Sequence, residues 1–253
     1  MSSLFAFDFD GVLFDTAREC LDIAWETSRD LPFATRWHGV AEPPAEVERA
    51  FLQHRYWVGP PWQYAVLLEG IATGKLPPDT DAFLGRARTQ EAALSGFTEA
   101  YFATRTRLAA DPDRWLRTVR AHDVPATAFT RLHRTGEAVI LSTRDAASIQ
   151  LILSRMLGID DAVQLERGGP RPKWQILAEA AEHRGLSHER VYFIDDHPHH
   201  ALPAHEHGFT AHLALWGYNS PTDVAACRLA GLSAITIPQL DATLSAHSKG
   251  RTP

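Results

Sequence analysis

The chain has 253 residues, 45% hydrophobic and 22% charged, an ordinary balance for a folded protein long enough for one domain or two. Its formal net charge of −6 gives no electrostatic ground for a nucleic acid or an anionic membrane as partner. No apolar run is long enough to span a bilayer, Cys20 and Cys227 form no metal or disulfide pattern, and Asp8 and Asp10 interrupt the first apolar run, so no signal peptide, reduced thiols and a cytoplasmic setting are expected.

Residues 4–9 (LFAFDF) read as a buried strand, rich in Phe and without a helical stripe. Asp8 and Asp10 lie at its end and Gly11 breaks it. Charged side chains are rarely buried unless they are paired or hold a metal, so two acids at this point need a chemical reason. From about 15 to 120 the pattern is mostly helical, with helices predicted over 16–28, 44–56, 62–71 and 82–108 and Pro/Gly breaks at EPPAE, VGPPW and TGKLPPDT. Beyond that block the pattern alternates. A helix over 124–134 ends near Gly136, a strand over 138–141 runs into STRD, and Asp145 can cap a helix over 146–157. There follow a weaker strand near 162–165, a helix over 174–184, the strand VYFI (191–194) leading into DDHPHH, and a helix over 203–207. The strand TAHLALW (210–216), a helix near 222–229 and a strand over 234–237 complete the order. The polar tail SAHSKGRTP (245–253) is expected to fray.

Strands that alternate with helices imply right-handed crossovers and a parallel sheet, so the fold class is α/β: a Rossmann-like parallel sheet with helices on both faces. A structureless loop as long as the block between the first strand and the rest is not compatible with a compact domain. The chain therefore divides into an α/β core of residues 1–15 and 121–253 and an inserted all-helical domain of residues 16–120. Ligands of open parallel sheets bind at the carboxyl ends of the strands. Asp8 with Asp10, Ser142 with Thr143, and Asp195 with Asp196 all stand at such ends.

With those residues in order, the sequence resembles the haloacid dehalogenase superfamily: DFDGVLFDT, then VILST, then Lys173 in RPKWQIL, then VYFIDD. LALWGYN (213–219) resembles the end of the fifth core strand in phosphoglycolate-phosphatase-like members. The likeness covers about 4–16 and 124–240, and the helical block corresponds by position to the family's cap. It implies hydrolysis of a small phosphate monoester through an aspartyl-phosphate. Asp8 resembles the nucleophile, an ionised carboxylate that needs no deprotonation before attack. Asp10 resembles the general acid/base. Gly11 lets the backbone turn away beside the ligand. Lys173 resembles the lysine that balances charge around Asp8, with Arg171 as the rival basic group. Thr143 or Ser142 supplies the phosphate-binding hydroxyl at a helix N-terminus, with Arg144 beside them as a substrate-binding residue. Several carboxylates facing a phosphate repel strongly, so a Mg²⁺ held by Asp8, Asp10 and Asp196, with Asp195 as a second ligand or outer partner, is implied. His200 departs from the pattern, standing where an acid is common. The spacing of the neighbouring histidines fits no compact zinc motif.

In the inserted block, QHRYWVGPPWQY (53–64) is the most distinctive stretch. Arg55 is a candidate for a second anionic group of the substrate, but large aromatics of this kind more often build a helical core or hinge. The family's cap implies a small phosphorylated metabolite as partner, since a macromolecule does not fit beneath it. Asp10 argues against carbon–halogen cleavage and against phosphonate cleavage by a cap lysine, for which Lys75 is the only candidate. A phosphomutase shares the whole constellation, and a non-catalytic binding protein on the same scaffold is the remaining alternative.

Overall fold

Strand β1 (Leu4–Phe7) is an interior strand of a parallel sheet in the computed structural model, which describes residues 3–165 and 171–249. In chain order the other strands are β2 (Phe14–Asp15), β3 (Arg120–Ala121), β4 (Ala138–Ile140), β5 (Val191–Asp195), β6 (Thr210–Ala214) and β7 (Ser233–Ile235). The helices are α1 (Ala17–Thr27), α2 (Ala45–His54), α3 (Gln63–Thr73), α4 (Thr80–Gln90), α5 (Phe97–Ala109), α6 (Pro112–Trp115), α7 (Asp123–Arg134), α8 (Ala146–Leu157), α9 (Lys173–His183), α10 (Pro198–Glu206), α11 (Pro221–Leu229) and α12 (Ile237–Lys249). The chain forms two compact units, Met1–Asp15 with Arg120–Pro253, and Thr16–Val119. No helix among the described residues is long and apolar enough to cross a membrane.

In the first unit the sheet order is β4-β1-β5-β6-β7, with all neighbours parallel. All four residues of β1 are buried, as expected of a strand covered on both faces. Leu4 and Ala6 join a core with Ile176 and Leu177 of α9, Ala201 and Ala204 of α10 and Cys227 of α11. Phe7 alternates to the other face, where its ring meets Phe129 of α7 edge-on at 5.8 Å. The short antiparallel pair β2–β3 joins the two points where the chain leaves and re-enters this unit, with Phe14 opposite Ala121 and Asp15 opposite Arg120.

Several elements differ from the expectation. The segment near 162–165 forms a single bridge, Gln164 beside Ile140, rather than a strand. The helix expected to begin at Pro203 begins at Pro198, behind the N-cap His197, and carries Pro203 inside it. Proline suits the first helical turn, and two prolines compete for that position here. The tail helix α12 runs to Lys249, so residues 245–249 of the polar tail are helical, and residues 250–253 lie outside the described part.

The second unit is built from helices and short 3₁₀ turns alone among its described residues. The predicted helix over 82–108 is two helices, α4 and α5, separated at residues 91–96. Their inward faces place Phe83, Ala87, Phe97 and Tyr101 in one core with Leu21, Phe51, Trp57 and Leu67. A buried carboxylate, Glu19, accepts from Trp115 Nε1 at 3.2 Å and pairs with Arg105 Nε at 3.2 Å. A buried charge of this kind is retained only with partners.

Candidate active site

The ladder that places β1 beside β5 continues one residue past β1, where the Asp8 N–H donates to Ile194 O at 2.9 Å. Asp8 therefore emerges next to Asp195, the last residue of β5, and Asp196 follows it. One oxygen from each of Asp8, Asp195 and Asp196 lies within 4.8 Å of the others, and all three residues are buried. Past Asp8 the backbone reverses: Gly11 has φ of 80° and donates its N–H to Phe14 O at 2.7 Å. A Cβ added there would land in the Asp196 carboxylate, so glycine is required by both conformation and space.

Lys173, the first residue of α9, supplies the cation. Its buried Nζ donates to Asp195 Oδ2 at 2.7 Å and lies 3.0 Å from Asp8 Oδ1. The second contact is an ion pair without hydrogen-bond geometry, which leaves Asp8 Oδ1 a buried oxygen that accepts no hydrogen bond. Arg171, the rival basic group, instead pairs with Glu179.

Asp195 is further held by the His197 N–H at 2.8 Å and by His200 Nδ1, 3.2 Å from Oδ2. Burial works against its ionisation, yet Lys173 and His200 hold its carboxyl well below the usual carboxylate range. Burial pushes the Asp8 carboxyl up, and Lys173 opposes that only in part. Burial alone would lower the Lys173 ammonium, but Asp195 and Asp8 raise it, so it is charged.

Asp196 accepts from the Tyr218 N–H, and a Cβ at Gly217 would also collide with it. Tyr218 reaches on through its hydroxyl to Asp15 Oδ1 at 2.8 Å, and Trp216 Nε1 donates to Val12 O at 3.0 Å. The segment WGYN thus seats Asp196 and ties it to the turn after β1. From the sequence this stretch is expected only as a strand end, and its role in seating Asp196 appears in the fold. The signal was present in Gly217, a residue without a side chain where a backbone must approach a neighbour closely.

The carboxylate of Asp10, expected among the metal ligands, stands outside the three-carboxylate cluster. Arg144 Nη1 donates to its Oδ1 at 2.8 Å. Of the two candidate hydroxyls, Ser142 is half-buried and its Oγ accepts from the Arg144 N–H at 3.2 Å, whereas Thr143 is exposed. Asp145 caps α8 by accepting from the Ser148 N–H at 2.8 Å. Arg55 belongs to the second unit, where its Nη1 donates to Val58 O at 3.0 Å and its guanidinium lies 5.2 Å from the Tyr64 ring centre.

The haloacid dehalogenase-like hydrolase model matches residues 3–208, which hold every strand-end acid described above. The chain belongs to the haloacid dehalogenase-like hydrolase family. Solved structures of similar fold include a candidate phosphoglycolate phosphatase from Lactobacillus delbrueckii subsp. bulgaricus, 12% identical over 96% of this chain and 99% of that one, with a TM-score of 0.66. A haloacid dehalogenase family hydrolase from Deinococcus radiodurans, solved with bound phosphate and sodium, is 17% identical over 97% and 96% of the two chains, with a TM-score of 0.59. A predicted phosphoglycolate phosphatase from Haemophilus somnus is 16% identical over 87% and 89%, with a TM-score of 0.58. No curated protein matches the chain. At these identities the likeness shows the shared fold.

The donor set of this haloacid dehalogenase-like site fits a divalent cation. Three buried carboxylates share a small volume, one ammonium faces two of them, and Asp8 Oδ1 accepts no hydrogen bond. Hard oxygen donors and uncompensated negative charge suit a hard divalent cation.

Proposed function

We propose that the protein hydrolyses the phosphate monoester of a small metabolite, with Asp8 as nucleophile and Asp10 as general acid/base. The observation that carries this reading is Asp8 Oδ1: buried, without a hydrogen bond, and 3.0 Å from the Lys173 ammonium. Asp195 is held by Lys173, His197 and His200, whereas this Asp8 oxygen has the Lys173 ion pair and no hydrogen bond, so of the two carboxylates Asp8 is the one open to attack phosphorus.

Asp8 attacks phosphorus and the ester P–O bond breaks. Asp10 in its acid form gives its proton to the departing oxygen. Water then attacks the aspartyl-phosphate, its proton passes to the Asp10 carboxylate, and the bond between phosphorus and Asp8 breaks to release phosphate. Lys173 keeps positive charge against Asp8 throughout. Asp8 and Asp196 are the residues proposed to hold Mg²⁺, with Asp195 as an outer partner, since its oxygens already serve Lys173, His197 and His200. Bound there, Mg²⁺ supplies charge neutralisation and polarisation of the phosphoryl oxygens. Phosphate bound in the Deinococcus radiodurans relative supports an oxyanion ligand for this fold. The retained Asp10 favours ester cleavage over carbon–halogen cleavage, where no alkoxide needs a proton.

The test is phosphate release from a panel of sugar phosphates, phospho-acids and nucleoside monophosphates, with Mg²⁺ and with EDTA. Mg²⁺-dependent release from at least one member, blocked by EDTA, is expected. Release that EDTA leaves unchanged, or dehalogenation without any release, would overturn the reading.

A further inference from the structure

Arg144 lies 134 residues from Asp10 in sequence and meets it at 2.8 Å, Nη1 to Oδ1. Its side chain has 0% exposure, against 22% for Asp10. Further contacts hold the guanidinium in place. Its Nε donates to Ser148 Oγ at 2.9 Å. That hydroxyl in turn donates to Asp145 Oδ2 at 2.7 Å, so the N-cap of α8 anchors the arginine. The guanidinium also lies 5.6 Å from the ring centre of Phe9, the residue between the two aspartates. An arginine buried in this way is poorly placed to move with an exchanging ligand, because its planar fork is already set against fixed partners.

We propose that Arg144 is a positioning residue for Asp10, holding the acid/base carboxylate in its working orientation, rather than a ligand of the substrate phosphate. This rests on the phosphatase reading above. It also explains how a carboxylate on a turn, past the end of β1 and partly open to solvent, is kept from wandering. The orientation is set by a chain of contacts from Asp145 through Ser148 and Arg144, and the chain passes through no member of the three-carboxylate cluster.

The consequence can be read in leaving-group dependence. The value of kcat/KM reports steps up to breakage of the ester bond, the step in which Asp10 gives up its proton. A p-nitrophenolate leaves without help, whereas an alkoxide needs the proton. The experiment measures kcat/KM for a series of aryl and alkyl phosphates with wild type, Arg144→Lys and Arg144→Met in Mg²⁺, together with the Ki of inorganic phosphate and the thermal midpoint. For Arg144→Met the alkyl esters are expected to lose about 10- to 100-fold and the aryl esters at most about 5-fold, within the range that general acid catalysis contributes. The plot against leaving-group pKa becomes steeper, Ki changes by less than about 2-fold, and Arg144→Lys recovers part of the alkyl-ester loss. Equal losses on both ester classes overturn the proposal in favour of a structural role. A Ki raised by about 10-fold or more overturns it in favour of phosphate binding. A wild type inactive on every ester defeats the phosphatase reading and this proposal together. An active wild type whose leaving-group slope is unmoved in Arg144→Met defeats this proposal alone.

Discussion

Lys173 and Asp195 form a buried ion pair, Nζ to Oδ2 at 2.7 Å, and the same ammonium stands 3.0 Å from Asp8. One cation thus serves two carboxylates on adjacent strands, and removing it strands both. Breaking a buried pair by deleting one partner typically costs about 3–5 kcal/mol. Lys173→Met is expected to lower the urea-unfolding free energy by about 3 kcal/mol and to cut turnover by about 100-fold or more. Unchanged stability in Lys173→Met would show that the pair is not the buried interaction described.

Gly11 and Gly217 press on Asp196 from two directions. An alanine at either position has to displace the carboxylate, and at Gly11 it also meets a positive φ. Gly217→Ala is expected to weaken Mg²⁺ binding by about 10-fold or more, measured by isothermal titration, while the far-ultraviolet circular dichroism stays that of the wild type. Mg²⁺ affinity equal to wild type would remove Asp196 from the proposed ligand set.

Three histidines are held down by burial: His122, His212 and His197, the last to about 4 with His200 as the next cause. Both ring nitrogens of His212 lack a hydrogen-bond partner. A histidine whose folded pKa is depressed takes up its proton first in the unfolded chain. Its contribution to stability is therefore present above about pH 6.5 and is lost as pH falls below that value. The urea midpoint is expected to fall between pH 7.5 and pH 5.5, and by less in His212→Phe than in wild type. A midpoint that rises over that interval contradicts the sign, and an equal fall in His212→Phe contradicts the assignment to His212.

The core strands were legible because each is a short apolar run ending at a turn signal: β1, β4 and β6 fall within the runs that predicted them, and β5 extends one residue past its run, to Asp195. Helix ends that depend on competing prolines were not, and Pro198 rather than Pro203 opens α10. The break between α4 and α5 was missed because EAALSG carries mostly good helix formers before its glycine. The adjacency of Asp195 and Asp196 hid which of them serves Lys173, since side chains one residue apart on a strand point to opposite faces and only the position of α9 decides between them. The Arg144–Asp10 pair had no local signal. It depends on β4 lying directly against β1, a pairing of residues far apart in the chain.

Whether Asp8 is the nucleophile is tested most directly by steady-state hydrolysis of p-nitrophenyl phosphate by wild type and Asp8→Asn in Mg²⁺. The predicted result is turnover by wild type and a loss of about 1,000-fold or more in Asp8→Asn, with its circular dichroism and thermal midpoint close to wild type. Turnover retained within about 10-fold in Asp8→Asn would contradict the account.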